Sequence, residues 1–375
     1  MFNKPHFTGN ETQYIKNAVL NTKISGDGMY TKLCHEFFEK SYYFKKCLLT
    51  TSCTDAIEMA AILADVKQGD EIIAPSYTFV STINPFILRG ASIRFVDSRA
   101  DQPNIDEDEI EKNITPNTKA IVVVHYAGVA CNMGKIKLIA EKYNLIIIED
   151  AAQAIDSYYL NEPLGGIGHL GAFSFHETKN IISGEGGLIT INDEKYIERA
   201  EIIREKGTNR SKFFRGEIDK YSWVDIGSSF LPSDIIAAFL FAQIENLKDI
   251  QTKRISIWNK YYEGLKQLPS LYNIKMPFIP PYATNNAHMF YMVCNSLVER
   301  QALIAYCKTA GVHLVFHYQS LHSSTYFKGK YSGEELLNAD RFSDCLVRLP
   351  FYYDLNEGDQ DQVINTIIGF YNQYK

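Results

Sequence analysis

The chain has 375 residues, 46% of them apolar and 22% charged, with a net charge of −6. That length supports a normal core and two domains, and the mild negative charge argues against bulk binding to nucleic acid or to an anionic membrane. Seven scattered cysteines without a CxxC pair read as reduced thiols, not a disulfide frame or zinc site, and no apolar run approaches the roughly 20 residues of a membrane span.

The N-terminal MFNKPHFTGNETQYIKNAV has no signal-peptide core, so a cytoplasmic protein is expected. CLLT (47–50) is a short strand that runs into a small polar turn, Thr51-Ser52-Cys53-Thr54. Helical spacing covers 54–65 and stops before Lys67-Gln68-Gly69-Asp70. EIIAPSY (71–77) is a buried strand, TFVSTINPFILRG (78–90) a helix closed by Gly90, and ASIRFVDS (91–98) a strand again. KAIVVVHYAG (119–128) and NLIIIEDAA (144–152) are continuous apolar strands around an amphipathic helix at 135–144. Such strands joined by helices predict a mostly parallel sheet covered on both faces, a three-layer α/β domain.

After about residue 250 the pattern changes. A long amphipathic helix (251–268) leads into a Pro-rich connector (269–286). Then come a strand (288–295), a helix (299–311), a strand VHLVFHY (312–318) and a final helix over 359–374. The expected organisation is a large domain, 1–250, and a small α+β domain, 251–375.

Ligands of parallel α/β sheets collect at the carboxyl ends of the strands. Three strand ends carry suggestive groups. At Thr51-Ser52-Cys53-Thr54, free N–H groups at a helix start and neighbouring hydroxyls suit a phosphate; taken alone, an ordinary helix cap is the better account. Asp150 ends a strand of isoleucines, where a desolvated carboxylate needs a partner; a protonated pyridine nitrogen, a metal or an N-cap would each serve. Lys179 follows the strand AFSF (172–175) and precedes Gly184-Glu185-Gly186-Gly187. Burial there would free its amine near neutral pH, whereas a surface lysine in a hairpin is the ordinary alternative. Ser174 is placed to donate to a phosphate. The order of phosphate turn, strand-end aspartate and lysine is similar to that of fold-type I enzymes that use pyridoxal 5′-phosphate (PLP).

The stretches TTSCTDAIEMA, GDEIIAPSYTFVSTIN, VHYAG, IIEDAAQA, FSFHETKN with GEGG, and GSSFLPSDIIAAFLFAQIENL run through most of the chain. Together they resemble the DegT/DnrJ/EryC1/StrS sugar aminotransferases. Within that family SFHETKN, HYAGVAC, REKGTNRSKFFRGEIDKYSW, IGSSF and NAHMFY are most similar to transaminases of TDP-4-keto-6-deoxyglucose. The resemblance implies a fold-type I PLP-dependent transferase and a cytoplasmic homodimer with shared active sites. It also implies an aminotransfer reaction from L-glutamate to a dTDP-linked 4-keto-6-deoxy sugar, the galacto product being favoured over the gluco one. It makes Lys179 the Schiff-base lysine and Asp150 the partner of the pyridine nitrogen. Gln153 falls near the cofactor's 3-hydroxyl, Phe79 stacks on its ring, and Ser52, Cys53 and Ser174 hold its phosphate.

Two departures stand out. The phosphate turn reads Ser-Cys-Thr where the family commonly has Ser-Gly-Thr, which leaves the backbone donor intact. Ser229, in Gly227-Ser228-Ser229-Phe230-Leu231, replaces an asparagine that usually reaches the neighbouring subunit's phosphate. For the sugar nucleotide the candidates are His317, Tyr318 and His322 in VFHYQSLH, a basic stretch of Lys206, Asn209, Arg210, Arg215 and Lys220, and Tyr30. Packing and capping account equally well for the first group and a solvated loop for the second, and Tyr30, after Gly26-Asp27-Gly28, is the weaker candidate. A relative aminating C3, or a PLP-binding regulatory protein, is the alternative within the family. A dehydratase would want His in place of Lys179, and a Rossmann dehydrogenase would want GxGxxG where TTSCTDA stands.

Overall fold

The computed structural model of the protein describes residues 1–374. Seven strands form the main sheet: β1 (Lys46–Thr50), β2 (Glu71–Pro75), β3 (Ser92–Val96), β4 (Thr118–Val124), β5 (Ile146–Asp150), β6 (Leu170–Ser174) and β7 (Gly187–Ile191). Their order is β1-β7-β6-β5-β4-β2-β3. β7 runs antiparallel to both neighbours, while β2 to β6 are mutually parallel. This is the mostly parallel sheet that the sequence predicts.

The apolar runs are continuous because both faces are covered. On β4, Ala120 and Val122 enter one core and Ile121 and Val123 the other; on β5, Ile148 and Ile147 divide the same way. The first core packs the helix Cys53–Leu63 on the sheet, and the second packs the helices Met29–Tyr42, Met133–Tyr143 and Asp234–Glu245.

A third core consists wholly of residues from Ile257 onward. It holds the helices Leu297–Thr309 and Glu357–Gln373 beside a short antiparallel pair, β8 (Tyr291–Val293) and β9 (Leu346–Arg348). The helix Leu247–Leu265 gives Leu247 and Ile250 to the second core, and Ile257, Trp258, Tyr261 and Leu265 to the third. We propose that the two domains, 1–250 and 251–375, meet along this helix.

Two expected elements take another form. Residues 78–90 are not one helix but a 3₁₀ turn, Val80–Thr82, followed by the helix Asn84–Leu88. Pro85 lacks an N–H and so sits in the first turn of a new helix. VHLVFHY is not a strand: Val315 makes a single bridge to Arg348. Pro350 cannot extend that ladder on one side, and on the other the chain turns to carry His317 towards Tyr126. All seven cysteines are free.

Candidate active site

A cavity of about 500 Å³ opens at the carboxyl ends of the parallel strands. Ser52, Cys53, Phe79, Asp150, Gln153, Ser174 and Lys179 all line it, as do His317 and Tyr318. Residues far apart in sequence meet here because the sheet gathers its strand ends along one edge.

The end of β1 turns into the helix Cys53–Leu63. Ser52 is its N-cap, with extended backbone and Oγ accepting the Asp55 N–H at 3.0 Å. Among the described residues the N–H groups of Cys53 and Thr54 have no acceptor, so they face the cavity as an anion seat. Gly187 packs against this turn so closely that a Cβ there would collide with the backbone of Ser52 and Cys53. Ser174, at the end of β6, accepts the His176 N–H at 3.4 Å and keeps its own proton for another acceptor.

Asp150 ends β5 and is buried. Its Oδ2 accepts the Thr82 hydroxyl at 2.7 Å and its Oδ1 the Ala152 N–H at 3.1 Å. Thr78 in turn donates to Thr82 at 2.7 Å, which fixes the direction of that relay. Burial pushes the Asp150 carboxyl above its ordinary range, against the pull of Thr82, Ala152 and the Lys179 charge. Such a carboxylate lacks a full partner and asks for a nearby cation.

Lys179 lies in the connection between β6 and β7. Its N–H donates to the His176 carbonyl at 2.9 Å, while its ammonium forms no ion pair among the described residues. Burial lowers its pKa, partly opposed by Cys53 and Asp150 and assisted by Arg348. The next residue anchors the loop. Asn180 Nδ2 donates to Gln251 Oε1 (2.8 Å) and to the Asn286 carbonyl (2.9 Å), and Oδ1 accepts His288 Nδ1 at 2.8 Å. His288 lines the cavity, and burial pushes its pKa well down, so it is neutral.

Phe79 is 54% exposed and forms an apolar wall, its ring 6.0 Å from that of Tyr318. Gln153 Oε1 accepts the Ala127 N–H at 2.7 Å, and its Nε2 donates to the Tyr318 hydroxyl at 2.9 Å. His317 stacks on Tyr318 at 3.5 Å and bonds the Tyr126 hydroxyl through Nδ1 at 2.7 Å. Burial depresses its pKa strongly, with Arg348 and Lys179 adding to the effect.

Four expected residues are not at this cavity. Tyr30 is buried within helix packing, its ring 5.3 Å from Tyr14 and 6.0 Å from Phe241. His322 is a cross-link: Nδ1 meets Ser76 Oγ at 2.7 Å and Nε2 lies 3.5 Å from Asp340. Arg210 lines a separate basic pocket with Arg204, Lys206 and Arg215, and its guanidinium lies over the Phe214 ring at 4.9 Å. Ser229 is exposed outside the cavity, next to Phe230, whose carbonyl accepts the Thr51 N–H at 3.0 Å. Sequence reasoning missed Phe2, Thr82, His288 and Arg348 at or around the cavity. Thr82 and His288 fall within the stretches GDEIIAPSYTFVSTIN and NAHMFY that carry the resemblance, whereas Phe2 and Arg348 lie in no such stretch and are brought to the cavity by topology alone.

A three-layer sheet with a lysine, a buried aspartate and an anion seat at its strand ends is the arrangement of an aminotransferase. The chain belongs to the DegT/DnrJ/EryC1/StrS aminotransferase family, whose model matches residues 6–368. Among solved structures it is similar to a DegT DnrJ EryC1 StrS aminotransferase from Brucella abortus, at 27% identity over 96% of this chain and 95% of that one, TM-score 0.87. It is also similar to DesV of S. venezuelae, at 26% identity over 96% and 94%, TM-score 0.87. The fold is shared as well with the putative sugar aminotransferase Spr1654 of Streptococcus pneumoniae, solved in a PLP-form, at 24% identity over 100% and 98%, TM-score 0.90. The protein is a PLP-dependent sugar aminotransferase.

Proposed function

We propose that the protein transfers an amino group from L-glutamate to C4 of dTDP-4-keto-6-deoxy-D-glucose. The product would be the galacto 4-amino-4,6-dideoxy sugar nucleotide, used for cell-surface polysaccharide in the cytoplasm. The single observation that carries the reaction is the convergence of Lys179, Asp150 and the Ser52–Cys53 helix start on one cavity. The sugar and donor rest on the sequence resemblance through SFHETKN, HYAGVAC and IGSSF.

The residues present suit PLP. Asp150 is a buried carboxylate that lacks a full partner, as a protonated ring nitrogen requires. The partnerless N–H groups of Cys53 and Thr54, with Ser52 and Ser174, suit its phosphate. Phe79 offers an exposed aromatic face to its ring, and Gln153 would stand near the 3-hydroxyl, as the resemblance implies. When bound, the cofactor supplies an electron sink and a carbonyl able to take up an amino group.

Burial lowers the Lys179 pKa, so Nζ could take the proton from the amine-bearing carbon of the donor and hand it on to the cofactor within that half-reaction, and in the second half-reaction carry a proton the opposite way, to C4 of the sugar. Asp150 holds the opposing charge. Asn180 fixes the backbone from which Lys179 projects. His317 and Tyr318 face the sugar. Neutral His317 shares a hydrogen bond with the Tyr126 hydroxyl through Nδ1, leaving its Nε2 for a sugar hydroxyl. A homodimer with shared sites would bring Ser229 and the basic pocket around Arg210 to the neighbouring subunit's cavity.

The test incubates the PLP-loaded protein with L-glutamate and a panel of keto sugar nucleotides, and reads the product by NMR. The expected product has the amine on C4 in the axial position. An amine on C3 of a 3-keto sugar would overturn the assignment.

A further inference from the structure

We propose that Arg348 receives the carboxylate on the amine-bearing carbon of the donor acid. The inference rests on the aminotransfer reaction and the cavity described above, not on the identity of the sugar.

Arg348 closes β9 and lines the cavity with Lys179. Two features fix where it points. Its backbone is paired on both edges: in register with Tyr291, and by two hydrogen bonds with Val315 (3.2 and 2.7 Å). Its guanidinium lies over the Phe2 ring at 5.1 Å. Phe2 is itself held, because its carbonyl accepts the Phe351 N–H at 3.0 Å and Lys4 pairs with Asp354 at 3.0 Å.

The guanidinium is nevertheless unsatisfied. Among the described residues it forms no salt bridge and no hydrogen bond, and its Nε is buried without an acceptor. An arginine so placed forfeits solvation and gains nothing in return until an anion arrives. Neither carboxylate lining the cavity pairs with Arg348 among the described residues. Asp150 is held by Thr82 and Ala152, and Glu185 lies 3.8 Å from His176. The planar fork of an arginine matches a carboxylate in two parallel hydrogen bonds.

Position selects which anion. The Arg348 charge is felt at Lys179, His288, His317 and Tyr318. Cys53, at the anion seat of the helix start, instead senses Asp150, Lys179 and Asp55. The bridge to Val315, two residues before His317, places Arg348 with the His317–Tyr318 segment of the cavity wall and not with the helix start at Ser52. A carboxylate borne by the reacting carbon lies one bond from the chemistry, whereas the diphosphate of a sugar nucleotide is separated from C4 by the pyranose ring. Neutral His288 and His317 beside Arg348 leave it as the dominant positive charge that meets the incoming acid.

The test uses PLP-loaded wild type, Arg348→Gln and Arg348→Lys, each checked for retained visible absorbance. Calorimetry measures binding of 2-oxoglutarate and, separately, of thymidine diphosphate. The expected result is a loss of about 100-fold in 2-oxoglutarate affinity in Arg348→Gln, with partial recovery in Arg348→Lys and unchanged thymidine diphosphate affinity. Stopped-flow absorbance then compares L-glutamate with 4-aminobutanoate, which lacks that carboxylate. Wild-type preference for L-glutamate should collapse in Arg348→Gln. Loss of thymidine diphosphate binding with 2-oxoglutarate unaffected, or a preference that survives the substitution, would overturn the proposal. A wild-type protein whose absorbance ignores every amino acid offered would instead refute the aminotransfer reading itself.

Discussion

Two carboxylates stand side by side at the end of β5, and the two regions they serve could hardly differ more. Glu149 faces away from the cavity and is fully buried. It accepts the N–H groups of Gly165, Ile167 and Gly168 at 2.9, 2.7 and 2.5 Å and contacts His125 Nε2 at 2.9 Å. Because His125 Nδ1 accepts the Cys131 N–H, its Nε2 carries the proton and donates to Glu149. Asp150 faces the cavity with two donors and room for a cation. A closed network builds the fold, whereas an open one leaves a place for chemistry. Alternation along one strand separates the two roles.

The sharpest way to break this comparison begins with the open side. Lys179→Ala should lower kcat by about 10³-fold or more, because the proton carrier is gone. Activity near wild type would remove Lys179 from the mechanism. Next, Glu149→Ala should destabilise the fold by about 3–5 kcal/mol in urea titrations, since four donors lose their acceptor. Its remaining folded fraction should keep near-normal kcat, and a folded but inactive variant would erase the contrast with Asp150.

Asp150→Asn should lower kcat by about 100-fold without destabilising the apoprotein. The sign of its pH dependence follows from burial. The folded-state pKa of Asp150 lies above the ordinary value, so its stabilising contribution is present at low pH and is lost as pH rises through the folded-state value. The Tm of apo wild type should therefore fall relative to Asp150→Asn as pH rises above about 4, the ordinary aspartate range. A constant difference would show that the carboxylate is not strained by burial. The smallest effect is expected at His322→Ala. With the ring outside the cavity, KM for the sugar nucleotide should change by no more than about twofold, while Tm drops modestly.

The legibility of the sequence follows the same division. β4 and β5 announce themselves as unbroken apolar runs because helices cover both faces. Lys179, Asp150 and Ser52 were readable because Asp150 ends a strand and the other two follow one closely, where local order brings them to the edge of the sheet. Tyr30 was misplaced because the glycines before it drew attention from the helix Met29–Tyr42, whose packing buries it. Arg210 lies in a basic stretch whose composition carries no direction. His322 read as a substrate group, but its partner Ser76 is 246 positions away in sequence. Arg348 was invisible for the same reason: its role depends on Phe2 and Val315, and three distant segments leave no periodic trace.

The antiparallel strand β7 has a consequence for how the site comes into being. Lys46 of β1 pairs with Ile191 of β7, so the first strand waits for a partner made much later in synthesis. Closing so long a loop is slow compared with forming the local helices. The Ser52 turn and the Lys179 loop flank this pairing, so a growing chain has no pocket able to retain a cofactor until β7 has docked. Cofactor capture thus reports completion of the sheet, and a chain stalled before residue 187 should emerge colourless.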